Sequence, residues 1–263
     1  MVRQWQECAN PAGPAPIYST YHFEKSGDMI FSRCNTIPKA ILFDLDDTLW
    51  PILPVIHQAE LSLHLWLTLH APKVAQQFDI DTLRAQRLQL LAQQPHLKLD
   101  LGALRRLGLQ QAFQSAGEDS SRIEAAMAHF FAARNAVTLY ADVLPGLTRL
   151  KEKILLGSIS NGNADLEVIG LGRHFTVSLA AAEFGRAKPD AAIFHAACDA
   201  LNVAPHEAMY VGDDLLLDVD GAQKAGLRAV WLNRTGSCAH QGTGIVPDFI
   251  CSTLEQLLLW LDI

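Results

Sequence analysis

Four short runs of apolar residues recur along the chain: Lys39–Asp44 (KAILFD), Ile154–Ser160 (ILLGSIS), Ala208–Asp213 (AMYVGD) and Arg228–Leu232 (RAVWL). The first three close on an acid or a hydroxyl. A run of this kind, without polar alternation, fits a strand covered on both faces. Helical spacing lies between the later runs. One helix is predicted from Pro189, at its first turn, to about Leu201. Another is predicted from about Leu215 to Ala225, with Gly226 as its stop signal. Strands alternating with helices predict an α/β fold, a doubly wound parallel sheet with helices on both faces.

Residues 51–138 break that rhythm. They are rich in Leu, Ala, Gln and Arg, hold few β-branched runs, and read as an inserted all-helical segment. Leu61, Leu63, Leu65, Leu67 and Leu69 alternate as in a strand, but length and surrounding composition favour a helix. The sheet core is therefore expected from residues 37–50 and 139–263. Residues 1–36 read as a poorly packed extension, because Pro11, Pro14 and Pro16 interrupt regular structure and no periodicity follows. Met29 lies close enough to KAILFD to serve as an alternative start.

Composition narrows the class. A chain of 263 residues, 49% of them apolar, can bury a core and is not disordered. The richest apolar stretch, Leu61–Ala71, is too short for a membrane span and carries His64 and His70. With 28 acidic against 21 basic residues, a net charge of −7 and no Lys/Arg block, nucleic acid is not an expected partner. Cys8, Cys34, Cys198, Cys238 and Cys251 are widely spaced and signal neither a disulfide framework nor a zinc cluster. No secretory pattern opens the chain, so a cytoplasmic location is expected.

The chemistry gathers just after the strands. Asp44-Leu45-Asp46-Asp47-Thr48 places three carboxylates where a parallel sheet binds ligands, outside the strand ends. Like charges so close need a cation or a shared proton, although Asp47 or Thr48 could simply cap a helix. Gly212-Asp213-Asp214-Leu215-Leu216-Leu217-Asp218 adds a second acidic cluster, completing a hard-oxygen site of the kind Mg²⁺ takes. Asp214 can also cap the helix that follows. The Ser160-Asn161-Gly162 turn offers a hydroxyl, an amide and backbone N–H groups to phosphate oxygens. Lys188, just before Pro189, is a compact positive charge.

Taken in order, DLDDT (44–48), SNG (160–162), KP (188–189) and GDDLLLD (212–218) resemble the motifs of the haloacid dehalogenase-like hydrolase superfamily. The match is closest to its phosphatases with a type 1 helical cap. NGNADLEVIGLG (161–172) and YVGDDLLLDVDGA (210–222) look like the branch acting on flavin mononucleotide and phosphoribitylamino-uracil phosphates. The resemblance implies a Rossmann-like core and an Mg²⁺-dependent phosphatase acting on a small phosphorylated metabolite. Asp44 would be the nucleophile that becomes an aspartyl phosphate, and Asp46 the general acid and base. Asp44, the Asp46 main-chain carbonyl and Asp213 would hold Mg²⁺, with Asp214 and Asp218 orienting metal waters and Lys188. Ser160 and the Asn161 amide would grip phosphoryl oxygens while Lys188 neutralises them.

Rival readings remain. A phosphomutase uses the same acids, and a haloacid dehalogenase needs the nucleophile without Asp46 or the Mg²⁺ cluster. Ser160, Asp213 and His240 follow the Ser–Asp–His order of the α/β-hydrolases, but Ser158 stands where the nucleophile elbow needs Gly. A phospho-accepting receiver module has similar groups but no such insertion. Trp50, His57, His64 and Trp66 lie near enough to contact substrate, but such residues in Leu-rich helices usually pack.

Overall fold

The computed structural model describes residues 21–23, 29–31, 34, 36–236 and 243–263. Strands β1 (Tyr21–Phe23) and β2 (Met29–Phe31) form a short antiparallel pair. Regular structure thus appears in the stretch expected to have none. Its YHF and MIF triplets are aromatic and apolar, as strands favour, and lie beyond the three prolines.

The main sheet holds β3 (Ala40–Phe43), β4 (Leu155–Ser160), β5 (Val177–Ala180), β6 (Ala208–Gly212), β7 (Arg228–Leu232) and β8 (Phe249–Cys251). Its order is β5-β4-β3-β6-β7-β8, and every pairing is parallel. The four runs seen in the sequence are β3, β4, β6 and β7. The edge strands β5 and β8, missed there, span 4 and 3 residues and are mostly half-buried, so neither leaves a continuous apolar run.

Helices α1 (Ile52–His70), α2 (Pro72–Gln77), α3 (Ile80–Gln93), α4 (Leu101–Ala116) and α5 (Ile123–Arg134) follow β3. The alternating leucines are helical. Ala59, Leu63 and Leu67, four apart, are buried, while Leu65 and Leu69 face outward. These helices bury a cluster of their own, in which Leu63, Leu67, Leu109, Phe113, Met127 and Phe130 take part. Asp79 and Asp100 cap α3 and α4 by accepting from Thr82 N and Ala103 N, contacts worth about 1 kcal/mol each.

Helices α6 (Val143–Lys151), α7 (Leu166–Ile169), α8 (Ala181–Phe184), α9 (Ala191–Ala200), α10 (Gly221–Lys224) and α11 (Leu254–Leu261) complete the chain. Alternate strand residues serve opposite faces. Ile41, Phe43, Met209 and Val211 pack with α6 and α11, whereas Ala40, Leu42, Ala208 and Tyr210 pack with α9 and α10. Two helix starts differ from expectation. Pro189, joined to Lys188 by a cis peptide, precedes α9 rather than opening it, because the Asp190 carboxylate takes the cap by accepting from Ala192 N. The segment predicted from Leu215 is π-helical over Leu215–Asp220 before α10 begins, and Gly226 ends it with φ of +86°.

Strand order reverses between β3 and β6, the position where open α/β sheets bind ligands. Asp44 and Asp213 follow these two strands, and Ser160 ends the neighbouring β4. Among the described residues no helix is long and apolar enough to cross a membrane. Cys34, Cys198 and Cys251 are free thiols; Cys8 and Cys238 lie outside the described residues.

Candidate active site

The Asp44 N–H donates to Val211 O at 2.9 Å, extending the ladder between β3 and β6 by one rung. Lys188 Nζ then ties three elements together. It reaches Asp44 Oδ1 at 2.5 Å, Asp218 Oδ1 at 2.6 Å and the Tyr210 hydroxyl at 2.8 Å. Tyr210 in turn donates its hydrogen to Ile159 O, so its oxygen is left to accept. Asp44, Lys188, Tyr210 and Asp218 are all buried. Asp218 Oδ2 accepts from Asp214 N at 2.9 Å. That approach requires glycine at position 212, since a Cβ there would lie 2.4 Å from Asp218 Oδ2.

Thr48 Oγ1 lies 3.1 Å from Asp213 Oδ1 and 3.3 Å from Asp44 Oδ2, bridging the two acids with its single hydrogen. One carboxylate oxygen from each of Asp44, Asp213 and Asp218 lies within 4.8 Å of the others. With all three carboxylates ionised and Lys188 protonated, the group would carry two negative charges, which a divalent cation would neutralise. Burial, reinforced by Asp218 and Asp213 against the pull of Lys188, raises the Asp44 carboxyl well above the usual carboxylate range. Burial and Asp218 push Asp213 to about 7. Burial alone would lower Lys188, but Asp218 and Asp44 raise it, so the ammonium keeps its proton. This all-oxygen, net-negative, desolvated donor set suits Mg²⁺.

Asp46 has a different set of partners. Its Oδ1 accepts from Trp50 Nε1 at 2.8 Å, and Arg134 Nη2 reaches Oδ1 and Oδ2 at 2.7 and 2.8 Å. A Cβ at Gly162 would sit 2.6 Å from Asp46 Oδ2 and 3.2 Å from Ser160 Oγ, so the missing side chain is what lets this carboxylate lie beside the turn after β4. Ser160 Oγ accepts from Gly162 N at 2.9 Å.

The residues named from sequence are thus gathered at one sheet end, with some differences in contact. The Asn161 carboxamide, expected on phosphoryl oxygens, is engaged on both sides of Lys188: it accepts from Lys188 N at 2.9 Å and donates to Lys188 O at 3.0 Å. Asp218, expected to orient metal waters and Lys188, does hold Lys188 Nζ, and one of its oxygens also lies within 4.8 Å of oxygens of Asp44 and Asp213, because the π-helical turn brings its carboxylate against Gly212. Asp214 instead caps that turn, accepting from Leu216 N and Leu217 N. Asp47, with φ of +62°, accepts from Ile52 N at the start of α1. His240 lies outside the described residues. Of the four residues considered as substrate contacts, Trp50, just before the insertion, donates to Asp46, while His57 is exposed and the Trp66 ring lies tilted against His70 with centroids 4.7 Å apart. Sequence reasoning missed Arg134 and Tyr210 altogether.

A parallel sheet carrying these acids at its switch point, with helices inserted after the first of its strands, defines a class. The chain belongs to the haloacid dehalogenase-like hydrolases, whose family model matches residues 38–226. It is 34% identical over 224 residues to 5-amino-6-(5-phospho-D-ribitylamino)uracil phosphatase YigB of Escherichia coli K12, covering 83% of this chain and 94% of that one. The solved structure of a 2-haloacid dehalogenase from Pseudomonas syringae pv. tomato DC3000 superposes with a TM-score of 0.80 at 36% identity, covering 86% and 99% of the two chains. A HAD phosphatase from Thermococcus onnurineus gives 0.61 at 27% identity, covering 85% and 97%.

Proposed function

We propose that this hydrolase is an Mg²⁺-dependent phosphomonoesterase working through an aspartyl phosphate at Asp44, and that residues 51–138 are its cap over a core of residues 37–50 and 139–263. The observation that carries the reading is the Asp44–Asp213–Asp218 cluster, in which Lys188 pairs with the buried Asp44 and Asp218 and Thr48 bridges Asp44 to the half-buried Asp213.

Mg²⁺ would be held by Asp44, Asp213 and Asp218, with the Asp46 main-chain carbonyl as a further ligand. When bound, it supplies positive charge that lets a phosphate dianion approach the carboxylates. An Asp44 oxygen attacks phosphorus, and the bond to the leaving oxygen breaks with its electron pair on that oxygen, which takes a proton from Asp46. Water then attacks phosphorus and gives its proton to the Asp46 carboxylate, and the pair of the broken P–O bond returns to Asp44. Lys188 fixes the unreactive side of the nucleophile, and Asn161 fixes Lys188. The Ser160 hydroxyl, which accepts from Gly162 N, keeps its hydrogen for a phosphoryl oxygen.

A haloacid dehalogenase reading draws support from the Pseudomonas structure. It leaves Asp46 without a task, because halide departs as a stable anion and needs no proton, whereas an alkoxide does. Phosphate release from a panel of phosphomonoesters, with 2-haloacids in parallel, tests the choice. The panel would start with the phosphoribitylamino-uracil named in the YigB relative and include phosphoserine, flavin mononucleotide and sugar phosphates. Phosphate release that stops in excess chelator is the expected result. Dehalogenation that persists in chelator, with no phosphate released, would contradict the proposal.

A further inference from the structure

Arg134 ends α5, and its partner Asp46 lies 88 residues earlier, just after β3. On α5 the buried positions are Ile123, Ala126, Met127, Phe130 and Arg134, so the guanidinium occupies the apolar stripe of an otherwise packed helix. It is 1% exposed. Its Nε and Nη1 are buried with no hydrogen-bond partner, and among the described residues Asp46 is its one ion-pair partner. Arg105, whose guanidinium lies 3.6 Å over the Phe130 ring, adds positive charge rather than relief. A cation so placed is poor helix stabilisation, since an apolar residue of similar size would serve at least as well. Its geometry is instead directed at one carboxylate. Both oxygens are held by Nη2, Trp50 Nε1 fixes a third direction, and Gly162 leaves the room.

We propose that Arg134 is the positioning residue of Asp46: it reaches from the helical insertion into the sheet end and fixes the carboxylate beside Ser160, where a leaving oxygen or attacking water would meet it. The inference rests on Asp46 being the acid and base of the reaction. It also makes the seating of α5 a condition for proton transfer, so the helices and the acid work as one unit.

A double-mutant cycle tests it. The rate with p-nitrophenyl phosphate and with an alkyl phosphate is measured for Arg134→Gln, Asp46→Asn and the pair, with melting temperatures recorded for each protein. Misplacing a general acid–base group costs about 10²-fold or more, so Arg134→Gln should lower kcat on the alkyl phosphate by about that factor while KM changes little. The loss should be smaller with p-nitrophenyl phosphate, whose leaving group needs no proton. In the Asp46→Asn background the same substitution should cost less than about 3-fold. Arg134→Lys, which keeps a cation, should recover part of the rate, and Trp50→Phe, which removes the second donor, should show the same coupling to Asp46. An equal loss in both backgrounds, the same for both substrates, would overturn the proposal and leave the phosphatase reading intact. Wild-type rates in Asp46→Asn alone would instead remove the acid–base role on which both depend.

Discussion

Replacing Lys188 with Met removes the one ammonium among Asp44, Asp213 and Asp218 while nearly preserving side-chain length. The wild-type contacts are an ion pair of 2.5 Å to Asp44 and one of 2.6 Å to Asp218, with Lys188 5% exposed. Removing one partner of a buried pair costs about 3–5 kcal/mol, because the other charge is left without compensation. Here the cost falls towards the lower figure, since Asp44 and Asp213 are already raised and one can take up a proton. At this chain length about 3 kcal/mol corresponds to a melting temperature lower by roughly 6–12 °C. Lys224 is the internal control. It pairs with Asp220 at the same 2.6 Å, but its side chain is 71% exposed, and such a pair contributes at most about 1 kcal/mol. Calorimetric melts of wild type, Lys188→Met and Lys224→Met in chelator give the comparison. If Lys188→Met melts within about 2 °C of wild type, or no lower than Lys224→Met, the electrostatic reasoning is wrong.

Other expectations follow from single contacts. Gly212→Ala sets a Cβ against the Asp218 side chain and should cost about 1–3 kcal/mol in urea unfolding, a cost that should disappear only in an Asp218→Gly background, since the Asp218 Cβ alone would lie 2.7 Å away. Glu60, 5% exposed, receives Arg84 and Arg87, with Arg105 at 3.8 Å; Glu60→Ala should cost about 3 kcal/mol, and a loss below about 1 kcal/mol would show that the three arginines do not depend on it. Asp44→Asn should abolish steady-state phosphate release, whereas Ser160→Ala, losing one hydrogen bond to a charged group, should lower it about 10- to 100-fold. Equal mild losses would contradict those roles.

The legible parts of the fold were those where one residue pattern had one physical meaning. The central strands are buried on both faces, so β3, β4, β6 and β7 stand out as continuous apolar runs, and the chemistry follows their ends directly. Strands β5 and β8 lie at the sheet edges, too short and too exposed to leave that mark. The leucine alternation in α1 was ambiguous because one buried and one exposed position in every four satisfies either period over a short window. At the site, Asp44, Asp46, Ser160, Lys188 and Asp213 were legible through their places after strands. Their partners were not. Tyr210 sits inside an apolar run where its hydroxyl is invisible to pattern, and the Asn161 contact to Lys188 depends on a fold that brings two turns together. Arg134 left one trace, a charge on the apolar stripe of α5, but nothing local to that helix points to Asp46.

The central claim is a covalent bond between Asp44 and phosphorus. Enzyme mixed with a turning-over phosphomonoester and Mg²⁺, quenched in acid within the first turnovers and digested, should yield one phosphorylated peptide, with the phosphoryl group on Asp44 and none in the Asp44→Asn protein. A peptide phosphorylated at Ser160, or phosphate released at full rate by Asp44→Asn, would contradict it.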